Sequence, residues 1–279
     1  MRAGRLQTRR IRVRRRFLRV LAILCLLALL TGGGLYLLNK NGWIPLNLSL
    51  SPSPTLSPDE VKADTRVMSI PGETWYALQL GVFTSREAAD AAAAPFSSRG
   101  AAAYLYEDGT SFRVLAAAYK TRAEAQTVMS RLKTDHGIET FIFELSRGEV
   151  TLKVHGQAAQ LTALESAYAC LSGAGGLLAD LSAGLDNYTR TEEETRAALT
   201  SEEDTVGSLR EKLGMLFDDP PVSVKGVLES LTTLSDALTD AQKQTGAALL
   251  GAKIKYAQLV ALDLLSAYVG ALSAGGPDI

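Results

Sequence analysis

Three rhythms of apolar and polar positions divide the chain. Val20 to Leu38 is an unbroken uncharged run behind an Arg-rich start. From Tyr76 to about residue 145 apolar residues fall at alternate positions in short segments, separated by Ala-rich stretches of helical spacing. From residue 156 onward Leu and Val recur every three or four positions almost to the end. The first rhythm predicts a transmembrane helix over 17–38, because its uncharged part spans about 28 Å at 1.5 Å per residue, close to the roughly 30 Å hydrocarbon core. A basic stub, 1–16, precedes it. Residues 39–71 have no repeating apolar pattern and contain Pro45, Pro52, Pro54 and Pro58 among serines, so they are read as a flexible linker.

Residues 72–146 contain an internal repeat at an offset of 36 positions, with Tyr76 over Phe112, Phe83 over Tyr119 and Arg86 over Arg122. Each copy reads strand then helix. Tyr76, Leu78 and Leu80 alternate with Ala77 and Gln79, and Phe112, Val114 and Ala116 alternate with Arg113 and Leu115. Ser85 and Thr121 stand where N-caps belong, ahead of helices over 86–98 and 122–134. Further strands fit 101–106 and 138–145, with a tight turn at Asp108-Gly109. The expected order is β-α-β-β-α-β: an α+β split domain with a four-stranded antiparallel sheet and both helices on one face. The other face is expected to meet water. Alternation puts Ala77, Gln79, Arg113 and Leu115 on that face; Tyr104 and Tyr106 share one face of their own strand, but register does not say which.

Residues 147–279 are expected to form a separate all-α domain. The predicted helices are 156–184 (with a break near Gly173–Gly176), 191–216, 223–243 and 245–273. The last is apolar enough to raise a second membrane span, which Lys253, Lys255 and Asp263 argue against.

Charge sharpens the topology. The first 40 residues carry nine Arg, one Lys and no acid, while the remaining 239 carry 19 basic and 30 acidic residues. This bias places the N-terminus in the cytoplasm and the C-terminus outside a cell membrane crossed once. A cleaved signal peptide is the competing reading, although no A-x-A site closes the apolar run. An acidic body outside the membrane excludes nucleic acid as a partner. Two Cys and two His support neither a zinc site nor a disulfide framework, and no cofactor is expected. No catalytic constellation emerges, so an enzyme is not expected. His136 reads as a helix-end residue, His155 stands without a matched partner, and Glu107-Asp108 reads as a solvated turn.

The stretch Trp75-Tyr76-Ala77-Leu78-Gln79-Leu80-Gly81-Val82-Phe83 with Ser85-Arg86-Glu87-Ala88-Ala89, followed by Phe112-Arg113-Val114 and Thr121-Arg122-Ala123-Glu124-Ala125, resembles the SPOR domain, the sporulation-related repeat of bacteria. The resemblance covers about residues 72–146. Gly81-Val82-Phe83 keeps the family's Gly-x-Phe, whereas Ala117-Ala118-Tyr119 stands where Gly-Pro-Phe is usual. The resemblance implies binding of peptidoglycan glycan strands stripped of stem peptides, at division or sporulation septa. Tethering by one transmembrane helix and a linker is common in that family. Gln79 and Arg113 match its open sheet face. With Leu115, Tyr104 and Tyr106 they form the candidate ligand-binding set, since a sugar chain needs amide and guanidinium donors beside a flat apolar surface. The expectation is a membrane-anchored glycan-binding protein whose C-terminal helices recruit division or sporulation proteins. The alternative is a protein-assembly module whose SPOR-like domain no longer binds glycan.

Overall fold

The computed structural model describes residues 64–274, all within one compact unit spanning residues 60–279. The expected basic stub, the 17–38 helix and the linker up to residue 63 lie outside the described residues. The elements run β1 (Asp64–Ile70), β2 (Glu73–Phe83), α1 (Arg86–Ser97), β3 (Tyr104–Glu107), β4 (Phe112–Tyr119), α2 (Arg122–His136), β5 (Phe141–Arg147) and β6 (Val150–Gly156). Four long helices follow: α3 (Ala158–Asp186), α4 (Glu192–Leu216), α5 (Val222–Gln242) and α6 (Ala247–Ala274).

From β2 to β5 the chain adopts the β-α-β-β-α-β order, and its antiparallel sheet runs β3-β4-β2-β5. The caps form where the sequence offers them. The Ser85 hydroxyl accepts from the Ala88 amide, and Thr121 with Glu124 makes a reciprocal capping box. Gly137, at φ 65°, ends α2 in the left-handed conformation that suits glycine. Both helices cover one face of the sheet, α1 through Ala89 and Ala93 on Val114, α2 through Ala125 on Leu78 and Ala116.

The linker expected through residue 71 gives way to a strand. β1 pairs antiparallel with β6 from Asp64↔Gly156 to Ile70↔Val150. β6 in turn lies inside the segment expected to be all helix. Met68, Ile70, Leu152 and Val154 alternate inward and join the core of the long helices. Two alternating apolar positions before Pro71-Gly72 are too short a signal to separate a strand from a spacer; the ribbon exists because its partner lies 80 residues away. The ribbon continues the β2–β5 pairing, which ends at Glu73↔Arg147. At the junction a Cβ on Gly72 would stand 3.1 Å from the Arg147 carbonyl oxygen and from the Glu149 amide nitrogen, so a larger residue would have to push the backbone of the turn aside by a few tenths of an ångström.

Helices α3 to α6 form a four-helix bundle in which each packs on the next and α6 closes the ring on α3. Leu164, Leu171, Leu178, Leu199, Leu231 and Leu265 line its core. Tyr268 is fully buried and donates its hydroxyl to the Leu164 carbonyl at 2.7 Å. Arg196 of α4 donates to the carbonyls of Gln242 and Gln244, supplying partners to the end of α5.

The break expected near Gly173–Gly176 is absent, and α3 runs 29 residues without interruption. Gly175 serves close approach rather than flexibility. A Cβ on Gly175 would lie 2.9 Å from Leu262 of α6 and 3.8 Å from the Trp75 ring of β2. The helical part is therefore not separate from the sheet: Trp75, Ala77, Leu115 and Ala118 share a core with Leu259, Leu262 and Ala179. Among the described residues α6 alone has the length and apolarity to cross a membrane, with mean hydropathy 1.3, but half of that stretch is buried within the fold.

The contrast between neighbouring glycines is testable. Gly175→Val is expected to lower unfolding free energy by about 1–3 kcal/mol through overpacking. Gly173→Ala, at an exposed helical position with open space around it, is expected to raise it by roughly 0.5–1 kcal/mol. Chemical denaturation of the two variants checks the signs; equal effects would contradict the close approach at Gly175.

Candidate functional site

The sheet face opposite α1 and α2 collects all five residues the sequence singled out. The register sets Gln79 against Leu115 on one side and Phe141 on the other, Tyr104 against Leu115, and Tyr106 against Arg113. Directly paired residues share a face, so Gln79, Arg113, Leu115, Tyr104 and Tyr106 lie together. Register shifts in β2 between Leu78 and Gly81 let Val82 pair with Arg113 and join them.

This face does not lie open to water as expected. Its inner half is covered by α6. Leu115 is fully buried and Gln79 retains 8% exposure. The Tyr104 hydroxyl donates to Asp263 of α6 at 2.7 Å, and its ring meets Tyr256 edge-on with centroids 5.4 Å apart. Gln258 of α6 donates its amide to the Ala118 carbonyl of β4 at 2.9 Å. The reason is the composition of the face: Trp75, Ala77, Leu115 and Leu145 stand at alternate positions, and leaving them in water would cost about 25 cal/mol per Å² of apolar surface. Burial, then the adjacent Asp263 charge, pushes the Tyr104 phenol well above its ordinary pKa and keeps the hydroxyl a neutral donor.

The outer half is built around Arg113. Its Nη1 donates to Gln79 Oε1 at 2.7 Å, and its Nε donates to Asp108 Oδ2 at 2.6 Å. Its guanidinium also lies over the Phe143 ring, 4.5 Å from the centroid. Phe143 leans across the sheet to Tyr106, with centroids 5.6 Å apart. Phe141 and Val82 stand 64% and 47% exposed at the rim. The outcome is a guanidinium held in a fixed plane over the Phe143 ring, with Tyr106 and the exposed Phe141 on the same face, an arrangement suited to stacking on sugar rings and donating to their hydroxyls.

A crevice of about 80 Å³ lies at the seam with α6, lined by Trp75, Tyr104, Tyr106, Arg147 and Asp263 among others. The Trp75 Nε1 and an Arg147 guanidinium nitrogen are buried there without hydrogen-bond partners among the described residues.

Asp108 is more than a solvated turn residue. Its carboxylate accepts from the Ser111 hydroxyl at 2.8 Å and the Ser111 amide at 3.0 Å, and it pairs with Arg113. Phe141, Phe143, Val82 and Asp108 escaped the sequence reading as site residues. The alternation of Phe141 with Phe143 was a usable signal, but only the pairing of β5 with β2 assigns them a face. The two histidines lie elsewhere: His136 closes α2 before Gly137, and His155 shares a 2.7 Å hydrogen bond with Thr65 across the ribbon. Among the described residues no cluster of three His, Cys, Asp or Glu side chains could hold a metal ion.

Residues 72–144 match the family model of the SPOR domain. No curated protein and no solved structure gives a significant match to the chain.

Hydrogen bonds from Ser111, then from Arg113, hold the Asp108 carboxyl down at about 2. A depressed folded-state pKa gives stability that is present above the unfolded value near 4 and lost as pH falls through about 2. The Asp108 side-chain carbon is thus expected to titrate near pH 2 by NMR. Ser111→Ala and Arg113→Ala should each move the midpoint toward 4, the former further; a wild-type midpoint near 4 would show that the clamp does not form.

Proposed function

We propose that the chain, which carries a SPOR domain at residues 72–144, is a membrane-anchored protein that binds denuded peptidoglycan glycan during cell division or sporulation. The observation that carries this reading is the outer strip of Arg113, Phe141, Phe143 and Tyr106, where a planar donor held by Asp108 and Gln79 adjoins exposed aromatic surface. The Arg-rich stub and the apolar run at 17–38 support a single cytoplasm-to-outside crossing. Anchoring keeps the domain near the wall, so weak affinity for a repeating polymer suffices through local concentration. The helical bundle acts in recruitment of division or sporulation partners rather than in catalysis.

The covering of the inner face favours one other reading. With Leu115 sealed under α6 and Tyr104 tied to Asp263, the domain acts as a protein-assembly module without glycan binding.

Co-sedimentation of the 60–279 unit with bacterial sacculi, before and after amidase removal of stem peptides, separates the two. Glycan reading predicts binding that rises with stripping. Phe141→Ala and Arg113→Ala are each expected to weaken it by about three- to tenfold, the value of one aromatic or cation–π contact, with melting unchanged for Phe141→Ala. Absence of binding to both wall forms would leave the assembly module as the function.

A further inference from the structure

A second opening lies on the helix-covered face of the sheet, between α2, the end of α1, the end of α3 and the start of α6. It is a cleft of about 490 Å³, within the roughly 300–1,000 Å³ range of small-ligand sites. Its origin is legible in the packing. α1 touches the sheet through alanines and forms one small cluster with Val114, whereas α2 forms another with Leu78 and Ala116. Leu80 packs against both clusters and lines the cleft, whose other lining comes from α2, the segment after α1, the C-terminal end of α3 and the N-terminal part of α6. Leu78, Ala116 and Ala117 are buried at the base of the cleft, and the apolar surface it presents comes from half-buried Leu80, Phe96, Tyr119, Val128 and Leu132.

The rim has a charge opposite to that of the body. Outside the first 40 residues the chain is acidic, with 19 basic against 30 acidic residues. Around the cleft stand Arg99, Arg131 and Lys255 against Asp135 and Asp186. Lys255 pairs with Asp186 at 2.9 Å and donates to the Gly100 carbonyl, which consumes both charges. Arg99 and Arg131, both exposed, have no ion-pair partner among the described residues. Tyr119 also lines the cleft, its phenol held neutral by burial and then by the Asp186 charge.

We propose that this cleft binds a small anionic amphiphile, its apolar body against Leu80, Phe96 and Leu132 and its anionic head between Arg99 and Arg131. An apolar surface alone would accept any hydrophobe; two unpaired guanidinium groups at the mouth select an oxyanion, which each can grip with two hydrogen bonds. The site is independent of the glycan face, since the sheet separates them.

The test uses the 60–279 unit titrated with dodecyl phosphate, dodecyltrimethylammonium and inorganic phosphate, all below micelle concentrations, by calorimetry and backbone amide shifts. Dodecyl phosphate is expected to bind one to one, with shifts at Ala116, Ala117 and Leu132. The cationic amphiphile should bind at least tenfold more weakly and inorganic phosphate not measurably. Arg99→Gln with Arg131→Gln, both exposed and harmless to the core, should weaken dodecyl phosphate at least tenfold with an unchanged melting temperature. Equal affinity for both head groups, insensitivity to the double variant, tight binding of inorganic phosphate alone, or shifts confined to the α6 seam would each overturn the proposal. Sacculus binding by the same double variant should be unaffected, which keeps this outcome distinct from that of the glycan reading.

Discussion

Leu259 of α6 is almost fully buried against Trp75 and Leu115 of the sheet, while Ile254 and Leu265 on the same helix fill the bundle core. A helix that buries apolar surface in two directions cannot belong to one layer only. It makes the sheet and the bundle a single structure and decides how much of the sheet face remains for a ligand. Gly175 allows α3 to come close enough for Leu262 and Trp75 to meet over it, so this small residue of α3 is a condition of the contact.

The β1–β6 ribbon is the second connection. It extends β2 and β5 past the edge of their sheet and lays Met68, Ile70, Leu152 and Val154 onto the bundle core. An ion pair between Arg66 and Glu165 at 2.7 Å ties the ribbon to α3 at its half-exposed surface, where such pairs contribute little on their own. The apolar alternation carries the attachment.

Polar groups at the site are arranged by the same packing. Arg113 is fixed by Asp108 from the β3–β4 turn, by Gln79 from β2 and by the Phe143 ring from β5, so three strands and a turn must be in register before its donors face one direction. A guanidinium free to rotate would lose much of its value for a planar partner, since ordering it on binding costs entropy. The two faces of one small sheet thus meet different fates. One is filled by α6 and a tight aromatic cluster, and the other is left with a cleft between α2, the segment after α1, the end of α3 and the start of α6.

The repeat at 36 positions, the period-two alternation and the caps at Ser85 and Thr121 were enough to determine the β-α-β-β-α-β order, and the Leu spacing determined four helices to within about two residues. These are local properties, set by a few neighbouring side chains and by backbone geometry. The strand at 64–70, the continuity of α3 through its glycines, and the cover that α6 places over Leu115 and Tyr104 were decided only by the tertiary structure. Each depends on a partner distant in sequence: Ile70 on Val150, Gly175 on Leu262, Tyr104 on Asp263. Periodicity reports which face of an element is apolar, but not which of several apolar surfaces will meet it, because hydrophobic attraction has no direction of its own.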